Sequence, residues 1–310
     1  MRVREEKRPG RCKRDWRHPS VHALQETYGG RLSPEQSVRK RAGEIIEYAR
    51  RLEWKGPPYN PRVLASLLGI KVEVRDLDPR TDGVLCVNCN GNLEILVNAG
   101  APVARQNFTI FHEIAHTFFP DHFEIVRKRQ SAGKVEEHHW ELEMLCNLGA
   151  SELLMPMDKF ARDVVYHGFS LRSVDALKER YEASAEAVIR RMVATELEIC
   201  CSVFFKRMLK PSERTQKSTR VQSPPWEKMR VDYVVPSEDF PCFIPRYKSP
   251  PADSCVNHAL LCSGVICETE KWDLASHVPQ FRVEAQAYRT LTGDSNRDCR
   301  VTALFFPAYF

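Results

Sequence analysis

Apolar positions along this chain fall into two periods, and the switches between them mark out its elements. After Ser33, the residues Ala42, Ile45, Ile46 and Ala49 recur at helical spacing with charges opposite. Ser33-Pro34 reads as an N-cap followed by proline in the first turn. Residues 60–68 read as a second, short helix. Residues 69–74 alternate apolar with charged side chains like a half-buried strand, and 84–87 and 93–97 flank Asn90-Gly91, a strong hairpin signal. The helical period then returns over 107–119, where Phe111, Ile114, Ala115 and Phe118 share a stripe that Pro120 closes. A charged connector over 127–134 leads to a long helix over 136–154. Short helices over 173–181 and 185–195, broken at Glu182-Ala183-Ser184, outline a helix-turn-helix. Beyond them, β-rich runs at 231–235 and 301–306 lie among many prolines.

These elements predict an α+β chain of several domains. A basic arm over 1–34 is expected to lack fixed structure, followed by a core over 35–157 and a helix-turn-helix-like segment over 158–210. A polar linker over 211–225 leads to a C-terminal α/β domain over 226–310. Charge adds one point. The formal net charge is +5, and residues 1–20 carry eight Lys/Arg against three Asp/Glu, so the remainder is nearly balanced. The arm is expected to be a solvated tail, with nucleic-acid contact as the weaker alternative. Eleven cysteines, an odd count at irregular spacing, and no apolar leader point to reduced thiols in the cytoplasm. No run of eighteen apolar residues occurs, so no membrane partner is expected.

Within the motif helix, His112-Glu113-Ile114-Ala115-His116 places two imidazoles four residues apart, one above the other on one face. That spacing lets both reach one metal ion, while Glu113, rotated by about 100°, stands beside the ion as a base for water. The flanking helix is strongly apolar, and polar groups kept there without partners would be costly. The third ligand has several candidates. His122 has the metzincin spacing, but Phe119 stands where that geometry needs glycine. Glu143 on the next helix is the expected ligand, with Asn147 one turn on as an outer contact and zinc as the ion. Glu141 points to another side of the helix, and His138 and His139 read as a solvated pair before it.

Two segments together resemble the ImmA/IrrE metallopeptidases. One is Asn107-Phe108-Thr109-Ile110-Phe111-His112-Glu113-Ile114-Ala115-His116. The other is Glu143 to Asn147 running into Ala150-Ser151-Glu152-Leu153-Leu154-Met155-Pro156. The likeness spans roughly residues 36–195; Cys146 departs from the alanine expected before Asn147. It implies a zincin-like core with Zn2+ on His112, His116 and Glu143 and with Glu113 as catalytic base. It also implies a cytoplasmic endopeptidase that cleaves a helix-turn-helix repressor, derepressing stress or mobile-element genes, and a GAF-like sensor over 226–310. A substrate strand is expected to pair with the sheet at 93–98. The alternative is a DNA-binding regulator using Arg190 and Arg191, or a sensor, with a structural or vestigial metal site. Cys86 and Cys89 have the spacing of half a zinc site but lack a second pair, and Tyr166 and His167 are candidates for oxyanion stabilisation.

Overall fold

A computed structural model describes residues 15–132, 138–215, 227–274, 278–289 and 299–308. The chain divides into two compact units, 1–154 and 155–310.

The first unit opens with α1 (Pro19–Thr27), which buries Val21 and Leu24. This corrects the expectation of an unstructured arm for the described part of 1–34; residues 1–14 lie outside the described residues. Helix α2 (Pro34–Arg51) starts in a full capping box between Ser33 and Gln36 and buries Val38, Ala42, Ile45, Ile46 and Ala49. Asn60 caps α3 (Pro61–Leu67) through its side chain. A three-stranded sheet follows, with β1 (Lys71–Arg75), β2 (Gly83–Val87) and β3 (Leu93–Asn98) in the order β1-β3-β2. β1 runs parallel to β3, and β2 pairs with β3 as the expected hairpin. β3 is therefore the central strand. The expectation that 93–98 offers an edge to substrate is corrected: both of its sides are taken, and the edges are β1 and β2.

Helix α4 (Val103–His116) buries Ile110, Phe111, Ile114 and Ala115 completely, at about 1.5–3 kcal/mol for each large side chain. The charged stretch expected as a connector is mostly a helix, α5 (His122–Ala132). Helix α6 (His139–Leu154) crosses α4 closely because of Gly149. A β-carbon there would stand 2.8 Å from the Ala115 β-carbon and 2.8 Å from the Phe118 ring. The small residue is what lets the two helices approach.

In the second unit, α7 (Met157–His167) precedes a 3-10 turn and the helix pair α8 (Val174–Tyr181) and α9 (Ala185–Val193). Strand β4 (Cys201–Met208) comes next, then α10 (Pro211–Thr215), β5 (Lys228–Pro236), α11 (Cys255–His258), β6 (Ile266–Lys271), β7 (Gln280–Arg289) and β8 (Cys299–Pro307). The five strands form one antiparallel sheet in the order β5-β4-β8-β7-β6. Alternate residues Cys201, Val203, Val301, Ala303, Phe305, Phe281 and Val283 share its core with Trp272 and α11. β4 falls within 158–210, the stretch expected to be helical, yet it pairs with strands from the C-terminal domain. Of the expected linker, 216–225 lie outside the described residues. The helix pair is tied to this sheet: Tyr233 donates to Glu186 on α9, and Glu284 on β7 accepts from Ser170 Oγ and the Leu171 N–H. No helix among the described residues is long and apolar enough to cross a membrane.

Candidate metal centre

Two polar stripes face each other between α4 and α6. On α4 the spacing of four brings the His112 and His116 ring centroids to 5.0 Å. On α6 the same spacing aligns His139, Glu143 and Asn147. Between the stripes, the ligand atoms of His112, His116 and Glu143 all lie within 4.8 Å of one another, the one such group found among the described residues. His112 Nε2 is 3.1 Å from Glu143 Oε2, and His116 Nε2 is 3.5 Å from Glu143 Oε1. A tetrahedral ion with bonds of about 2.0–2.1 Å holds its ligand atoms about 3.4 Å apart. The donor spacing thus fits such an ion, and two imidazoles with a carboxylate are a zinc-type donor set.

The far side of each ring has its own partner. His112 Nδ1 lies 3.1 Å from Asn147 Oδ1; an amide oxygen only accepts, so Nδ1 carries a proton there and Nε2 is the ring nitrogen that faces the cluster. His116 Nδ1 lies 3.3 Å from the Cys146 sulfur, a contact the sequence reading passed over as a mere departure from alanine. His139 is another residue undervalued there. Far from being solvated, its Nε2 is half-buried and 2.8 Å from Glu143 Oε1. The i,i+4 spacing on α6 was the signal that would have found it.

Electrostatics draw the cluster together. Burial alone would favour a neutral Glu143, but hydrogen bonds from His112 and His139 and the charge of His116 outweigh it. They hold the carboxyl far below its usual range. Burial likewise disfavours a charged His112, yet its bond to Glu143 and the nearby Glu113 raise its pKa.

Glu113 is buried beside the cluster and accepts the Leu85 N–H from β2 at 3.0 Å, which fixes its carboxylate against the sheet. Together with His112, Glu143, Asn147, Phe108 and Gly83 it lines an open cleft of about 340 Å3. Gly83 is required there, because a β-carbon would come within 2.5 Å of Thr109 Cγ2 and 2.9 Å of the Leu96 carbonyl.

The other candidates lie elsewhere. His122 begins α5, and its Nδ1 hydrogen-bonds the Phe119 carbonyl at 2.7 Å, outside the three-donor group. Glu141 is fully buried, and its carboxylate accepts the N–H groups of Arg17 and His18 at the start of α1. Tyr166 and His167 end α7 in the second unit, where Tyr166 is exposed and stacks edge-on against His167. Arg191 is buried with its Nε donating to the Met155 carbonyl, and Arg190 pairs with Glu186 at 3.8 Å. The alternative of a DNA-contacting pair on α9 thus has one of its two residues, Arg191, spent inside the fold. Cys86 and Cys89 are free thiols on and beside the β2–β3 hairpin.

Comparison with known proteins places part of the chain beside a known domain. Residues 65–193 match the model of the IrrE N-terminal-like domain, Peptidase_M78. The radiation response metalloprotease IrrE of Deinococcus radiodurans is 32% identical over 95 residues, which are 31% of this chain and 29% of that protein. The protein of the same name from Deinococcus deserti is 28% identical over 95 residues, 31% of this chain and 34% of its own length. The matched stretch therefore spans only about a third of each relative. Among solved structures, a Mycobacterium tuberculosis transcriptional regulator aligns with a TM-score of 0.55 at 12% identity, over 93% of this chain and 79% of that one, a likeness of fold alone. Over residues 65–193, then, the chain is similar to the IrrE N-terminal-like domain of the ImmA/IrrE metallopeptidases.

Proposed function

We propose that this chain is a zinc-dependent endopeptidase acting on a protein substrate, with His112, His116 and Glu143 holding the ion and Glu113 as general base. The observation that carries the reading is the convergence of three donor atoms from two helices within 4.8 Å, beside a buried carboxylate. Bound zinc would supply Lewis acidity for the scissile carbonyl and lower the pKa of water towards about 7. Glu113 takes the proton of the attacking water on its carboxylate and returns it to the leaving amine. The Leu85 N–H fixes that carboxylate's orientation, and Asn147 and Cys146 orient the two histidines. The substrate enters as an extended strand beside β2, the edge strand whose Leu85 bonds Glu113.

The family resemblance supports a helix-turn-helix repressor as the protein cleaved, and with it cytoplasmic control of stress or mobile-element genes. The family resemblance also supports a GAF-like sensor role for the C-terminal unit, whose pocket between α9 and the sheet, walled by Phe204, Tyr233 and Tyr288, is small, at about 100 Å3. The test is metal content and cleavage measured together. Wild type should carry about one zinc per chain and cut an unfolded protein such as casein. Glu113→Gln should keep the zinc and lose the cleavage; retained cleavage refutes the assignment of the base.

A further inference from the structure

The outer edge of β2 is already partly occupied by a side chain that imitates a peptide. Among the described residues, β2 pairs antiparallel with β3 on one side only. The bonds Asn88 N–H to Asn92 and Asn98 N–H to the Asp82 carbonyl place the even-numbered residues 82 to 88 in the rungs shared with β3. Gly83, Leu85 and Val87 therefore turn their N–H and C=O groups to the open edge. Leu85 gives its N–H to Glu113. Val87 is engaged on both of its groups by one residue of α5: its N–H donates to Gln130 Oε1 at 3.2 Å, and its carbonyl accepts from Gln130 Nε2 at 3.3 Å. That two-bond ring is the one a residue of an added antiparallel strand would form with Val87.

We propose that Gln130 is a specificity-determining residue that ends the substrate-docking edge at Val87. While its carboxamide holds Val87, an extended substrate can pair with Gly83 and donate to the Leu85 carbonyl, the Leu85 N–H staying on Glu113, but cannot pair beyond them. Segments long enough to reach Val87 must displace Gln130, whereas shorter ones never meet it. The inference rests on the reading of β2 as the edge that receives substrate. It needs no recalculation of the chemistry at Glu113, because binding is measured without cleavage.

The carboxamide is exposed, so the two bonds it offers are each at the weak end of the range, about 0.5 kcal/mol. Removing the competitor should then tighten binding of a long peptide by about fivefold. The experiment uses the zinc-loaded full chain carrying Glu113→Gln, so that nothing is cut. Two blocked, fluorescein-labelled peptides alternating valine with threonine and lysine, one of about four residues and one of about ten, are titrated by anisotropy. Adding Gln130→Ala should tighten the long peptide by about fivefold and leave the short one unchanged. Gln130→Met keeps the length of the side chain and the helix propensity but offers Val87 neither amide group, and should act like the alanine variant. Equal affinity for the long peptide with and without Gln130, a gain shared by both peptides, or binding of neither peptide to any variant overturns the proposal. Casein cleavage by the wild type, run alongside, reports separately on the peptidase reading.

Discussion

Replacing Asn147 with alanine removes the acceptor that orients the His112 ring. The Nδ1–Oδ1 contact of 3.1 Å fixes both the tautomer and the rotation of the imidazole, and so the aim of Nε2 at the donor cluster. Asn147 lies in the open cleft, where water can partly replace its oxygen. The loss should sit near the low end for such outer contacts, about 1.4 kcal/mol or tenfold in zinc affinity. Asn147→Asp restores an acceptor with added negative charge and should bind zinc at least as tightly as wild type. Competition with a chromophoric zinc chelator at neutral pH measures all three proteins. The thermal midpoint of the metal-free protein should be nearly the same for each, which separates ring orientation from damage to the fold. Alanine within about twofold of wild type, or aspartate losing as much as alanine, would refute the reasoning.

Other expectations can be checked on the same protein. Gly83→Ala drives a β-carbon to 2.5 Å from Thr109 Cγ2 and should cost about 1–3 kcal/mol in urea unfolding, with Thr109→Ser in the same chain recovering part of it. Asp163, buried on α7, accepts from Arg180 Nε at 2.6 Å and Tyr181 Oη at 2.8 Å. Burial opposes its charge, but these donors and Lys159 hold its pKa below the usual value. A depressed carboxyl pKa stabilises the fold above the unfolded value of about 3.9 and loses that contribution as pH falls through the folded value. Asp163→Asn should therefore cost about 1–2 kcal/mol at neutral pH, allowing for the solvent around Arg180, and the gap from wild type should close below about pH 4. Arg191→Ala should cost about 2–3 kcal/mol by denaturant titration, while Arg190→Ala should change stability by less than about 0.5 kcal/mol.

What the sequence discloses is what lies within a few turns of one element. The two histidines, Glu113 and the N-cap at Ser33 are short-range patterns, and each is found on the element expected. The hairpin was equally legible, because a two-residue turn fixes its register locally. Helix α5 was not, because its run of basic residues masks a short apolar face at Ile125 and Val126. That β3 would be central depends on β1 joining it from the far side, a pairing across more than twenty residues that no local pattern encodes. The roles of Glu141, Cys146 and Gln130 belong to the same class. Each is set by a partner on another element, and a buried glutamate two positions from a metal-binding candidate looks in sequence like any other charge on a helix.

The clamp at Glu141 also bears on the order in which the chain assembles. Arg17 and His18 precede the carboxylate that holds them by 124 and 123 residues. During synthesis the first helix leaves the ribosome long before its anchor exists, and at about 5–20 residues per second it waits for roughly 6–25 seconds. Over that interval its apolar face, Val21 and Leu24, has only α2 to rest against, and the helix is too short to persist alone in water. The clamp itself is then a late, long-range closure that forms only after α6 has formed. Until that moment a carboxylate destined for the interior stays hydrated, and the unit carrying the candidate metal centre cannot finish folding from its N-terminal end.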